Sequence, residues 1–191
     1  MRLQFTPGWS MDGMTYAYSY RFPQTPVFRQ KEDCVENGRD EGSAQDYDNI
    51  TLVTKDRLGS GTTLTARCAF ENPGAPLIIL TPQLDTDERG AKRYGDYVEV
   101  VLYSGGINVW KLWNSDGTVR WKKLLGAEFP VTEGEIHTLS VTVRGETLHI
   151  QADDRKFSLL AEGLYPAFHA GITACEGINR FYELDIREDR P

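Results

Sequence analysis

Helical periodicity is what this sequence has least of: nowhere do apolar residues recur at three-to-four spacing over ten or more residues. No hydrophobic run approaches the length of a membrane-spanning helix, which excludes the helical membrane class and gives no membrane partner. The three Cys, at 34, 68 and 175, are too few and too scattered for a disulfide framework or a paired-cysteine metal site. The three His, at 137, 149 and 169, do not suggest a multi-histidine metal centre. A Gly-x-Ser-x-Gly elbow, a phosphate-binding glycine loop and a His-Glu-x-x-His helix are all missing. Basic runs are missing too: 28 acidic residues against 21 basic ones give a net charge of -7, which disfavours nucleic acid and anionic lipid as partners. The start of the chain has no apolar secretory core, so the expectation is a cytoplasmic protein or a processed or truncated secreted form.

Short alternating runs bounded by Gly, Pro, Asn and Asp are abundant. They predict strands near 2–6, 15–22, 50–54, 62–70, 76–81, 95–103, 106–113, 118–124, 136–144, 147–151, 156–160, 167–174 and 180–187. Tight turns are expected at 104–106, 114–117 and 144–146. So many short antiparallel strands in 191 residues predict one all-β domain, a two-sheet antiparallel β-sandwich or jelly roll. The polar stretch Pro23–Asp48 breaks the pattern and reads as a long surface loop, either disordered or overhanging a ligand site. Cys68 alternates with Leu64, Ala66 and Phe70, which predicts a buried thiol.

Aromatic residues are concentrated between Tyr94 and Lys123, where three of the four Trp and three of the nine Tyr fall. Alternation puts Tyr97, Glu99, Val101 and Tyr103 on one strand face and Val98, Val100 and Leu102 on the other. In the next run Asn108, Trp110 and Leu112 share one face, and Ile107, Val109, Lys111 and Trp113 the other. Flat rings beside carboxylates and amides suit a sugar, whose C–H groups stack on a ring while its hydroxyls take hydrogen bonds. Core packing is the ordinary fate of the same residues. With Asn108 and Trp110 turned to a ligand, Trp121 extends the platform.

The segment 134–154, Gly-Glu-Ile-His-Thr-Leu-Ser-Val-Thr-Val-Arg-Gly-Glu-Thr-Leu-His-Ile-Gln-Ala-Asp-Asp, resembles the hairpin of concanavalin A-like lectin and glucanase sandwiches. The segment 168–186, running from Phe-His-Ala-Gly-Ile-Thr-Ala to Phe-Tyr-Glu-Leu-Asp-Ile, is similar to their closing strands. The likeness runs from about Thr62 to the end and is best to bacterial carbohydrate-associated domains, levan-binding modules and sugar-hydrolase-like domains among them. It implies a glycan or oligosaccharide ligand on the concave face of one sheet, and it allows a partner carbohydrate-active enzyme and a structural calcium, to which Asp12 and Asp185 would contribute. On that frame His169 is expected on the ligand side or as a satisfied sheet histidine. Glu176, Asn179 and Arg180 form a polar turn that either meets sugar hydroxyls or holds itself together.

Three functions are therefore carried forward: carbohydrate binding through aromatic stacking, a glycoside hydrolase or polysaccharide lyase on the same fold, and a laminin-G-like interaction domain with its indoles in the core. The enzyme reading would use Glu99, or Glu183 with Glu188. Glu183-Leu-Asp185-Ile-Arg-Glu188 resembles the Glu-x-Asp-x-x-Glu signature of laminarinase-type glycosidases, although it lies at the end of the chain rather than in its middle.

Overall fold

The computed structural model describes residues 1–39, 45–116 and 118–189, among which there is no helix. In chain order the strands are β1 (Arg2–Gln4), β2 (Met14–Ser19), β3 (Arg29–Gln30), β4 (Val35–Glu36), β5 (Ile50–Thr54), β6 (Leu58–Gly59), β7 (Thr62–Glu71), β8 (Ala75–Thr81) and β9 (Asp85–Thr86). They continue with β10 (Lys92–Tyr94), β11 (Tyr97–Tyr103), β12 (Gly106–Ser115), β13 (Thr118–Glu128), β14 (His137–Arg144), β15 (Thr147–Ala152), β16 (Arg155–Leu160), β17 (Ala167–Cys175) and β18 (Ile178–Glu188).

Two curled sheets pack face to face, as the alternation predicted. The back sheet runs β16-β15-β14-β7-β18-β4-β3, with β1 also on β18. The front sheet runs β13-β12-β11-β8-β17-β5-β2-β10-β9, with β6 beside β17. Between them lies the core: Leu64, Cys68 and Phe70 of β7, Leu139 and Val141 of β14, and Leu184 of β18 meet Ile78 and Leu80 of β8, Val98 and Val100 of β11, and Phe168 and Ile172 of β17. The Cys68 thiol is fully buried, and that burial pushes its pKa up to about 12.

Hairpins close where the turn residues are. Tyr103 pairs with Gly106 and Arg144 with Thr147. Ser115 pairs with Thr118 around Asp116, which has a positive φ of 52°, while Gly117 of the same expected turn lies outside the described residues.

One expectation changes. Pro23–Asp48 is not simply a loop: β3 and β4 lie within it and add to the back sheet, Arg180 pairing with Glu36 and Phe181 with Val35. Residues 40–44 of that stretch lie outside the described set. The turn at Glu176-Gly177 carries the chain from β17 in the front sheet to β18 in the back sheet. Both residues have positive φ, 56° and 59°, and a Cβ on Gly177 would stand 2.3 Å from the Asn72 carbonyl oxygen, so glycine is required there.

Candidate functional site

The outer face of the front sheet holds a groove of about 700 Å³. The alternating residues of β11 supply its floor: Tyr97, Glu99, Val101 and Tyr103 face it while Val98, Val100 and Leu102 enter the core. From β12 come Asn108, Trp110 and Leu112, and from the edge strand β13 come Val119 and Trp121. A register shift at Val109/Trp110 places Lys123 opposite Trp110 and Leu125 opposite Val109. That bulge lets Leu124 and Leu125 both reach the core while Trp121 and Lys123 stay on the groove face.

Part of the groove is lined by a second apolar cluster, Ala17, Ile79, Tyr94, Tyr97 and Leu112, with Val53 buried among them. Tyr94 and Tyr97 meet edge to face with centroids 5.2 Å apart, and the Tyr94 hydroxyl lies 3.0 Å from Thr51 Oγ1, which is 2.8 Å from Thr173 Oγ1. Tyr97 is consequently only 4% exposed, a wall residue more than a free platform. Trp121, at 66%, is the open aromatic surface, with Trp110 half-buried beside it.

Glu99 sits half-buried in the middle of this floor. Burial pushes its carboxyl up to about 7, Arg21 draws it down, and the charge of Glu176 pushes it further up. Arg21 and Asn49 also line the groove; a buried Asn49 Oδ1 has no hydrogen-bond partner among the described residues. Sequence reasoning missed both. Arg21 lies just beyond β2, where strand alternation no longer says which way a side chain points.

The structure brings Tyr97, Glu99, Tyr103, Asn108, Trp110, Trp121 and Glu176 together around the groove. The other expected site residues fall elsewhere. His169 has the same strand parity as the groove residues Thr173 and Cys175, but it is buried and its Nδ1 lies 3.0 Å from the Thr54 carbonyl. Burial lowers its pKa, the result for a sheet histidine satisfied locally. Its cross-strand partner Thr81 donates to the carbonyls of Gln83 and Asp96, and neither His169 nor Thr81 lines the groove.

Asn179 is fully buried; its side-chain amide donates to the carbonyls of Cys175 and Glu176, and its backbone N–H donates to the Asn37 Oδ1 at 2.7 Å. It braces the turn that presents Glu176 and does not face a ligand. Arg180 belongs to the back sheet, where it donates to Glu36 at 2.6 Å and Glu71 at 2.8 Å.

The Glu183/Glu188 pair likewise lies away from the groove: Glu183 lines a separate, smaller cavity of about 270 Å³ on the back sheet among Arg2, Arg67 and Arg187, and Glu188 does not line it. Both lie on β18 of the back sheet; Glu183 accepts from Arg2 at 2.6 Å and from Gln4 at 2.8 Å, and Glu188 is exposed. The hydrogen bond from Arg2 holds Glu183 below its ordinary range, whereas a general acid needs its pKa raised. Asp12 lies in the loop before β2 and Asp185 on β18, where it accepts from Arg187 Nε at 2.7 Å; among the described residues no three His, Cys, Asp or Glu side chains gather around a common point.

No family model and no curated protein sequence matches this chain. Solved structures do. β-Agarase A from Zobellia galactanivorans superimposes with a TM-score of 0.66 at 11% identity, over 97% of this chain and 87% of that one. A glycoside hydrolase family 16 endo-glucanase from Bacteroides ovatus gives 0.61 at 10% identity, over 98% and 99%. A carbohydrate-binding module from Bacillus subtilis gives 0.54 at 12% identity, over 92% of each. At such identities the likeness is one of fold. The chain has the concanavalin A-like jelly-roll fold, as its hairpin and closing strands implied.

Proposed function

We propose that this domain binds a carbohydrate in the front-sheet groove by aromatic stacking and directed hydrogen bonds. The observation that carries this reading is the placement of Trp110 and Trp121 beside Asn108 and Glu99 in one groove of about 700 Å³, a volume that suits a short oligosaccharide or a chain end. Ring faces supply stacking, and the Asn108 amide and Glu99 carboxyl supply donors and acceptors. Similarly folded proteins include both a binding module and hydrolases, so the site's own residues must discriminate. Along the groove face of β11, Glu99 is flanked by Tyr97 and Val101, so this strand offers one carboxyl where a glycosidase needs two.

Hydrolysis is the second reading, favoured by one observation. Glu99 is raised to about 7, a value fitted to a general acid, and Glu176 is close enough to act on it electrostatically. Glu99 comes from β11 and Glu176 from the turn after β17. The laminin-G-like reading requires buried indoles and no cleft, and Trp121 and the groove both speak against it.

A glycan panel read by tryptophan fluorescence and by reducing-sugar release separates these readings. A fluorescence change without product is the expected result. Product that disappears in Glu99→Gln, while binding persists, would replace binding by hydrolysis; no response to any glycan would remove both.

A further inference from the structure

Among the described residues two cations without a salt bridge stand at the groove, in a chain whose net charge is -7: Arg21, which lines it near Glu99, and Lys123, whose ammonium stands over the ring of the lining residue Trp110. Elsewhere Arg2, Arg39, Arg89, Arg144, Arg180 and Arg187 each meet a carboxylate in a salt bridge. Lys123 Nζ instead stands 5.1 Å from the centre of the Trp110 ring.

The sheet register sets Lys123, Trp110 and Glu99 side by side on three adjacent strands. The next groove-facing position of β13 is Gly126, opposite Asn108. A Cβ there would lie 3.3 Å from both Asn108 Oδ1 and Lys123 Nζ, so the glycine keeps that amide and ammonium close together at the groove wall. Arg21 reaches the same floor from the end of β2, beside Tyr97 and Glu99.

We infer that the groove selects an acidic glycan, one carrying a carboxylate or sulfate on a ring that stacks on Trp110 or Trp121, with Lys123 and Arg21 as the anion's partners. This rests on the carbohydrate reading above. An ammonium over an indole beside an amide makes a mixed site: the ring stacks, a hydroxyl meets Asn108, and the anionic substituent meets Lys123. Of the two groove carboxyls, Glu99 is neighboured by Arg21, and Glu176 lies on the turn after β17, two strands away from Glu99 in the sheet order. Neither sits on the Lys123 wall. The competing explanation for Lys123 is protection of an edge strand, a common use of lysine. Lys122, its neighbour on the same edge, serves as the control because it pairs with Lys111 on the opposite face.

Binding of three probe sets by the full chain tests this: galacturonate oligosaccharides for carboxylate, sulfated galactan oligosaccharides for sulfate, and laminari- and cello-oligosaccharides as neutral chains. The expected result is tighter binding of at least one acidic set, weakened about tenfold by Lys123→Gln and by Arg21→Gln and reduced by added salt, with Lys122→Gln unchanged. Whichever acidic set binds identifies the source of the anion. Because Arg21→Gln also alters the surroundings of Glu99, Lys123→Gln decides the assignment. Binding of neutral chains with no preference for acidic ones, or acidic binding indifferent to Lys123→Gln, overturns the inference and leaves the carbohydrate reading standing. Binding of none of the sets overturns both.

Discussion

Glu99 and Glu183 lie on opposite sheets and are pushed in opposite directions. Glu99 is half-buried in the groove with its carboxyl raised to about 7 by burial, only partly offset by Arg21. Glu183 is buried on the outer face of the back sheet, and hydrogen bonds from Arg2 and Gln4 hold its pKa below the ordinary range. The contrast extends to their surroundings. On the back sheet the charges are matched, Arg180 between Glu36 and Glu71, Glu183 with Arg2, Asp185 with Arg187. In the groove, among the described residues, no salt bridge is formed, Arg21 only offsets part of the rise at Glu99, and Asn49 Oδ1 has no hydrogen-bond partner. Matched charges hold strands together; unmatched ones beside exposed rings are what a polar ligand completes.

The largest effect that would break this contrast is at Arg180. Arg180→Ala leaves the buried Glu36 with only Lys31 at 3.2 Å and is expected to cost about 3 kcal/mol in urea unfolding, with glycan binding by the folded protein unchanged. Weakened binding at full folding would return Arg180 to the site.

Glu99 sharpens it through pH. Because its folded pKa lies above the ordinary 4.5, its contribution to stability is complete below about pH 4.5 and is lost as pH rises to about 7, a change of about 3 kcal/mol. Glu99→Gln should flatten that part of the stability–pH curve and make the protein more stable than wild type above pH 7. A curve unaltered by the substitution would mean the carboxyl is not desolvated.

Glu183 should show the opposite sign. Its folded pKa is lowered, so its stabilisation is present above the ordinary value and is lost as pH falls through the folded one. Glu183→Gln is expected to cost about 1 kcal/mol at neutral pH and nothing in acid, read from thermal melts, with no effect on glycan binding. The smallest effect on stability belongs to Trp121. Trp121→Ala should change it by less than about 0.5 kcal/mol, as for an exposed side chain, while weakening binding by about 1 kcal/mol.

What could be read in the sequence follows the range of the forces involved. The faces of β11 and β12 were legible because alternation is local and the core strips polar residues from one side. Glu99, Trp110 and Asn108 were found that way. Which sheet a strand joins is not local, and Arg180 and Glu183 were misjudged for that reason: the Glu176-Gly177 turn crosses between the sheets, so β18 carries its charges to the back. His169 had the right parity, but it is buried with its ring against the Thr54 carbonyl, more than a hundred residues away in sequence. Arg21 had no signal, being placed by chain direction after a strand end.

The most direct test of the groove as a binding site is an NMR titration of the four indole N–H groups with the glycan that gives the strongest response in the panel. Trp110 and Trp121 line the groove, Trp113 lies on the opposite face of β12, and Trp9 packs edge-on against Phe5 with centroids 5.0 Å apart. Saturable shifts of Trp110 and Trp121, with Trp9 and Trp113 still, are the predicted result. Shifts confined to Trp9 or Trp113 would contradict it and place the ligand elsewhere on the molecule.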